Sequence, residues 1–146
     1  MPDAISEPMG CYCMGYLWNR GDEVGDATDP NTGRKIEFKA TSRFEGDLSS
    51  FGPKCVFDDL VFLRFKLDEN LLYIYDLNIN SEEFGKYPAN KTQTIQEQKN
   101  QGRRPHVSLQ TLFVDANNLE PDIIFDIRRC KAYNRVSEYY QRLIGK

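Results

Sequence analysis

One histidine, His106, is all the chain offers to imidazole chemistry, and Cys11, Cys13, Cys55 and Cys130 match no spacing by which zinc is held. A His/Cys zinc centre is thereby disfavoured, and the cysteines read as free buried thiols. Long apolar runs are also missing. Stretches such as residues 61–63 and 123–125 are far too short to span a bilayer, and the first ten residues lack the basic start and apolar run of a signal peptide. These absences describe a cytoplasmic protein that needs no membrane. Glycine and proline are modest at 10 and 7, and there is no low-complexity tract and no internal repeat, so disorder and solenoid architectures are excluded. The 146 residues fit one domain, 1–146, long enough to bury about two thirds of its unfolded surface without a staple.

What is present is unevenly charged. Residues 1–85 hold 8 basic and 16 acidic side chains and residues 86–146 hold 11 and 6, a balance of -8 against +5 within a net charge of -3. A metal-binding half and a polyanion-facing half would look like this, and so would a small acidic protein with a basic tail. Ser6-Glu7-Pro8 reads as a helix start, with Ser6 as cap and Pro8 in the first turn, running to about Trp18 and weakened by Gly10 and Gly15. Asn19-Arg20-Gly21-Asp22 breaks it. Residues 24–28 and 35–40 are short strands around the turn Asp29-Pro30-Asn31-Thr32-Gly33. Residues 60–66 and 71–77 read as a second hairpin, near-continuous in hydrophobicity and therefore expected to be central in a sheet. A polar helix at 94–101, a helix at 109–114, a strand at 123–127 and an amphipathic helix at 136–144 complete an α/β pattern, a mixed sheet flanked by helices.

The first hairpin carries the chemistry. Ten glutamates and nine lysines predict roughly 0.6 Glu-x-Lys triplets by chance in a chain of this length, so the triplet alone carries no weight. Glu97-Gln98-Lys99 repeats the spacing inside a predicted helix, where residues two apart diverge. In a strand they share a face, so Glu37 and Lys39 project together while Ile36 and Phe38 enter the core. If Asp29 and Arg34 close the turn, Asp26 stands opposite Glu37, with β-carbons about 4.5–5.5 Å apart. Two such carboxylates repel, and a hard divalent cation shared between them offsets the repulsion. The ion would polarise a phosphate and acidify a bound water, and Lys39 could position that water or stabilise the transition state's extra charge. Asp29 is the rival to Asp26, but in this register it lies at the turn. A surface hairpin with a charged outer face is the alternative reading.

These residues resemble the PD-(D/E)XK nuclease superfamily, whose core is a helix followed by a hairpin carrying Asp and then Glu-x-Lys; the proline before the Asp is missing here. Downstream, Asp47-Leu48-Ser49-Ser50-Phe51-Gly52-Pro53-Lys54, Asp58-Asp59-Leu60-Val61-Phe62-Leu63, Asn90-Lys91-Thr92-Gln93-Thr94 and Gln101-Gly102-Arg103-Arg104-Pro105 are similar to blocks of the Bsp6I type II restriction endonucleases, which cut double-stranded DNA at GCNGC. The resemblance implies a restriction-endonuclease-like mixed β-sheet core flanked by helices. It implies magnesium bound by Asp26, Glu37 and the backbone carbonyl of Phe38, with Lys39 as the catalytic lysine. Glu7 can complete the metal shell from the first helix, or it is a surface acid favouring that helix's N-terminus. A homodimer acting on double-stranded DNA and a cognate DNA methyltransferase in the same cell are implied as partners.

Arg103 and Arg104 end a helix as adjacent guanidiniums before a rigid proline, and arginine suits bidentate contact with guanine or phosphate. Ser49, Ser50 and Lys54 are placed to touch phosphate or base from the loop after the catalytic strand. Solvated arginines and ordinary loop punctuation are the plainer readings. Other DNA nucleases on the same core, a junction resolvase or a repair nicking enzyme, remain open, as does a DNA-binding module that no longer cuts.

Overall fold

The computed structural model describes residues 2–21 and 23–145; Asp22, in the break expected after the first helix, lies outside the described residues. Helix α1 (Asp3–Met14) leads into two-residue strands β1 (Leu17–Trp18) and β2 (Ala27–Thr28), and then into β3 (Lys35–Thr41). A crossover carrying β4 (Ser49–Ser50) reaches the hairpin of β5 (Asp59–Lys66) and β6 (Leu71–Asp76). Helices α2 (Ser81–Gly85) and α3 (Ile95–Asn100) precede β7 (His106–Val107) and a π-helical turn at Gln110–Asp115. Strands β8 (Ile123–Asp126) and β9 (Lys131–Asn134) and helix α4 (Glu138–Leu143) close the chain.

Among the described residues seven strands form one mixed sheet in the order β1-β2-β3-β5-β6-β8-β9, and β4 and β7 make a separate two-stranded ribbon. Only β3 and β5 run parallel within the large sheet. The expected α/β architecture, a mixed sheet with helices against it, is what the chain forms. Strand β5 is apolar from Leu60 to Leu63 and again at Phe65, and it is buried along all but its last residue because both its faces are covered. Val61, Leu63 and Phe65 join Phe38 and Cys11 of α1 in one cluster, while Leu60 and Phe62 join Phe51, Phe84 and Ile95 in the other. Among the described residues no helix is long and apolar enough to cross a membrane.

Several local expectations are corrected. Helix α1 begins three residues before the expected Ser6-Glu7-Pro8 start, capped by extended Pro2, so Ser6 is buried inside it and Pro8 lies in its interior. It ends at Gly15, whose φ of 73° is the left-handed conformation that glycine adopts without strain, and not near Trp18, which forms part of β1. Gly10 serves packing: a β-carbon there would sit 2.9 Å from Cε1 of Phe38, so a bare backbone is what lets α1 lie on β3. The cysteines are all free, but only Cys11 is buried; Cys13 and Cys55 are half-buried and Cys130 is exposed. The helix expected at 109–114 is wound as a π-helix, and α2, β1, β4, β7 and β9 were not anticipated.

Candidate active site

The hairpin turn is built as its residues suggest. Asn31 N–H donates to Asp29 Oδ1 at 2.9 Å, Asp29 N–H donates to the Arg34 carbonyl at 3.0 Å, and β2 pairs with β3 through Ala27 with Ile36 and Thr28 with Lys35. That is the expected register. Asp26 departs from it. Its N–H donates at 2.8 Å to the carbonyl of Ile36, the residue already facing Ala27, so two residues of one strand meet one of the other in a bulge. Gly25 makes the bulge possible: its φ is 77°, and an added β-carbon would stand 2.9 Å from the Ile36 carbonyl oxygen. In place of a flat cross-strand pair, the Asp26 carboxylate turns over β3, where Oδ2 accepts the Phe38 N–H at 2.8 Å and the carboxyl meets that of Glu37.

Glu37 and Lys39 share the face that alternation predicts, with Nζ of Lys39 3.5 Å from Oε2 of Glu37 and side-chain exposures of 21% and 14% for Lys39 and Glu37. Burial pushes the Glu37 carboxyl up to about 7, the Asp26 charge adds to the rise, and Lys39 opposes it. Burial likewise raises Asp26, against the lowering effects of the Phe38 N–H and Lys39. Glu7 reaches the same cleft of about 210 Å³, together with Asp3, Ser49 and Ser50. Its carboxylate accepts the indole N–H of Trp18 at 3.1 Å, and burial raises its pKa.

Among the described residues no three His, Cys, Asp or Glu side chains are already gathered around an ion position. Asp26 and Glu37 are nevertheless a donor pair that suits a hard cation. Both offer oxygen and both are disfavoured as anions by burial, and the Asp26 charge further raises the cost of ionising Glu37, a cost that a divalent charge between them would remove. Asp59 and Asp76 form a second acid pair, in which burial and the Asp76 neighbour push Asp59 up to about 8. Asp59 is fully buried and accepts the N–H groups of Leu60 and Ile79, so it offers nothing to a large substrate.

The two segments singled out as polyanion contacts lie side by side. Ribbon strands β4 and β7 pair Ser49 with Val107 and Ser50 with His106, and Nη2 of Arg104 reaches Oγ of Ser50 at 3.4 Å. Arg103 donates to Oε1 of Gln93 at 3.0 Å. Both arginines are exposed, and so is Lys54, at the tip of the turn beyond the ribbon. The duplicate triplet behaves as a helix should: Glu97 closes a capping box with Thr94, while Lys99 turns inward to the Cys55 carbonyl at 2.8 Å. Three neighbours of the site escaped sequence reasoning. Asp3 lines the cleft, the Cys55 thiol meets the Glu37 carboxylate, and the Phe51 ring lies 4.7 Å from Nζ of Lys39. An aromatic residue in an otherwise polar loop was the one signal available, for Phe51 alone.

The family model described as Bsp6I restriction endonuclease matches residues 1–116. The chain is 43% identical over 130 residues to the type II restriction enzyme Bsp6I of Bacillus sp. (strain RFL6), an overlap that spans 89% of this chain and 74% of that enzyme. No solved structure matches the chain.

Proposed function

The chain belongs to the Bsp6I restriction endonuclease family, and from that premise we propose that it is a magnesium-dependent type II restriction endonuclease of the PD-(D/E)XK kind, hydrolysing both strands of DNA at a short G/C-containing palindrome such as GCNGC. The observation that carries the reading is the meeting of Asp26, Glu37 and Lys39 in one cleft whose wall includes Ser50, against which the exposed Arg104 rests. It works in the cytoplasm as a single-domain subunit of a homodimer, one cleft for each strand, beside a methyltransferase that protects the host's own sites.

Asp26, Glu37 and the Phe38 carbonyl would hold the ion, with Glu7 available to complete its shell. The bound cation supplies charge to the scissile phosphate and acidity to a water molecule. Lys39 donates from its ammonium to the attacking water or to a phosphate oxygen, at the place where negative charge grows as phosphorus becomes five-coordinate. Its contact with Glu37 and the Phe51 ring holds that ammonium against the cleft wall. Phe38 and Ile36 anchor the strand in the core beneath α1, so the carboxylates keep their places when DNA arrives.

Digesting plasmid DNA with the purified protein and magnesium, and sequencing the ends, tests the assignment. Double-strand breaks at one short palindrome are expected. Cutting confined to four-way junctions would mark a resolvase, single-strand nicks would mark a repair enzyme, and no cutting would leave a binding module.

Arg103 and Arg104 serve recognition, and at least one of them reads a base. For that residue, replacement by alanine is expected to cost roughly 1–3 kcal/mol of binding at the target and little on unrelated DNA; a phosphate contact would weaken both and flatten the salt dependence. Affinities for both DNAs at two salt concentrations, with calcium in place of magnesium to block cutting, separate the two roles. Unchanged binding in both variants would make these arginines solvated surface and move recognition to Ser49, Ser50 and Lys54 or to the basic C-terminal stretch.

A further inference from the structure

The turn that follows β4 touches the catalytic strand on one side and the arginine segment on the other. Phe51 is fully buried, packed 4.5 Å from the Phe84 ring, and it presents its own ring to the Lys39 ammonium at 4.7 Å. Its N–H donates to the Pro105 carbonyl at 3.1 Å, tying it to the residue after Arg104. At Gly52 a β-carbon would stand 3.0 Å from Nη1 of Arg104, so the guanidinium rests on bare backbone. Cys55 N–H donates to the Gly52 carbonyl at 3.1 Å and closes the turn. The Cys55 carbonyl accepts Nζ of Lys99, a lysine of α3 that is only 7% exposed, at 2.8 Å. Its thiol faces the Glu37 carboxylate within hydrogen-bonding reach.

On the nuclease reading above, we propose that residues 49–55 couple DNA readout to catalysis, with Phe51 positioning Lys39, Cys55 positioning Glu37, and Arg104 setting the turn through its seat on Gly52. An arginine that swings toward a base edge leaves that seat and changes what bears on Gly52. Phe51 is locked between the core and Pro105, and Cys55 between Lys99 and Glu37, so a shift of the turn has no loose packing in which to dissipate. It passes to the two side chains of β3 that face the cleft. DNA bound without Arg104 engaged would then meet an ammonium and a carboxylate slightly out of place, and a near-match site would be held but cut slowly.

Three variants test this: Gly52→Ala, Cys55→Ala and Cys55→Ser. Gly52 does not use the left-handed region, so its methyl group displaces the end of a flexible side chain without straining the backbone. The readouts are affinity in calcium, the single-turnover cleavage rate of prebound target and of a site changed at one base pair, and the thermal midpoint. Gly52→Ala, which denies Arg104 its seat whether or not a base is engaged, is expected to speed cleavage of the bound near-match site by about fivefold and so to shrink the target-to-near-match rate ratio, and Cys55→Ala to slow cleavage of bound target by about fivefold. Cys55→Ser, which keeps a donor facing Glu37, should cut within about twofold of wild type, a rescue that a packing role for the sulfur would not produce. A folded Gly52→Ala protein that keeps the wild-type target-to-near-match ratio, or a folded Cys55→Ala protein that cuts bound target at the wild-type rate, overturns the coupling; if one of the two fails to fold, the other decides. A wild-type chain that cuts no DNA would overturn the nuclease reading itself, a result distinct from wild-type cutting with unaffected variants.

Discussion

With Glu37 replaced by glutamine, the metal-free protein is expected to unfold at a higher temperature than wild type at pH 8 and to cut no DNA. The stability gain follows from the carboxyl's environment. Its pKa in the fold is about 7, above the ordinary value of 4.5, because burial and Asp26 disfavour the charge. Protonated Glu37 therefore suits the fold. Its favourable contribution is fully present below about pH 4.5 and is lost as pH rises from there through about 7, leaving a desolvated charge at pH 8 whose cost is on the order of 2–3 kcal/mol. Glutamine has the same shape and no charge, so the variant should gain at pH 8 and show no advantage near pH 4.5. Magnesium should reverse the wild-type trend, raising its melting temperature at pH 8 much more than at pH 5.5, where protons compete for the carboxylates, and leaving the variant almost unmoved. Cleavage should fall by at least about 10³-fold, since a lost ligand forfeits the ion's several kcal/mol on the transition state. Melting curves at three pH values, with and without magnesium, and a plasmid digest supply the checks. A variant that keeps cutting, or a stability difference that ignores pH, would refute the assignment.

On the proposed reading, function and stability pull against each other at one residue, the expected cost of storing charge in a cleft that would take an ion. The local pattern that exposed this residue was strong. Alternation along Lys35–Thr41 fixed which side chains face the cleft, and Asp29-Pro30-Asn31-Thr32-Gly33 has the chemistry of a tight turn, so the pairing of Ala27 with Ile36 could be worked out on paper. The long apolar runs of β5 and β6 likewise declared a central hairpin. The bulge at Asp26 was not legible, because a glycine before an acid is commonplace and only the close approach of Gly25 to Ile36 shows why it is needed. Helix α1 was misplaced because Ser6 resembles a cap in isolation; in the fold it is buried, and the chain turns into the helix at Pro2. Strands β4 and β7 are two residues each, 56 positions apart, and neither has a period to detect. What joins the serine loop to the arginines is a spatial pairing, and short strands of this kind exist only through tertiary contact. The contacts of Cys55 and Phe51 with β3 are of the same nature.

The bulge makes Asp26 and Asp29 separable, and the expected outcome is opposite for the two. Asp26→Asn keeps an oxygen to accept the Phe38 N–H, which Asp26 accepts at 2.8 Å, while removing a charge that burial already disfavours. The fold should survive with its melting temperature equal or higher at pH 8, yet cleavage should drop by at least about 10³-fold, because an amide is a weak ligand for a hard cation and leaves Glu37 to hold it alone. Asp26→Ala should abolish cutting too, but with some loss of stability, since a half-buried N–H then has no acceptor, at a cost of roughly 1–3 kcal/mol. Asp29 works at the turn, where its Oδ1 accepts the Asn31 N–H. Asp29→Ala should cost about 1 kcal/mol of stability and leave cleavage within a few-fold of wild type. Cleavage rates at saturating magnesium, set beside melting temperatures for all three variants, decide the matter. If Asp29→Ala is the dead enzyme and Asp26→Asn cuts normally, the ion is held at the turn, and the cleft between α1 and β3 is not where DNA is cut.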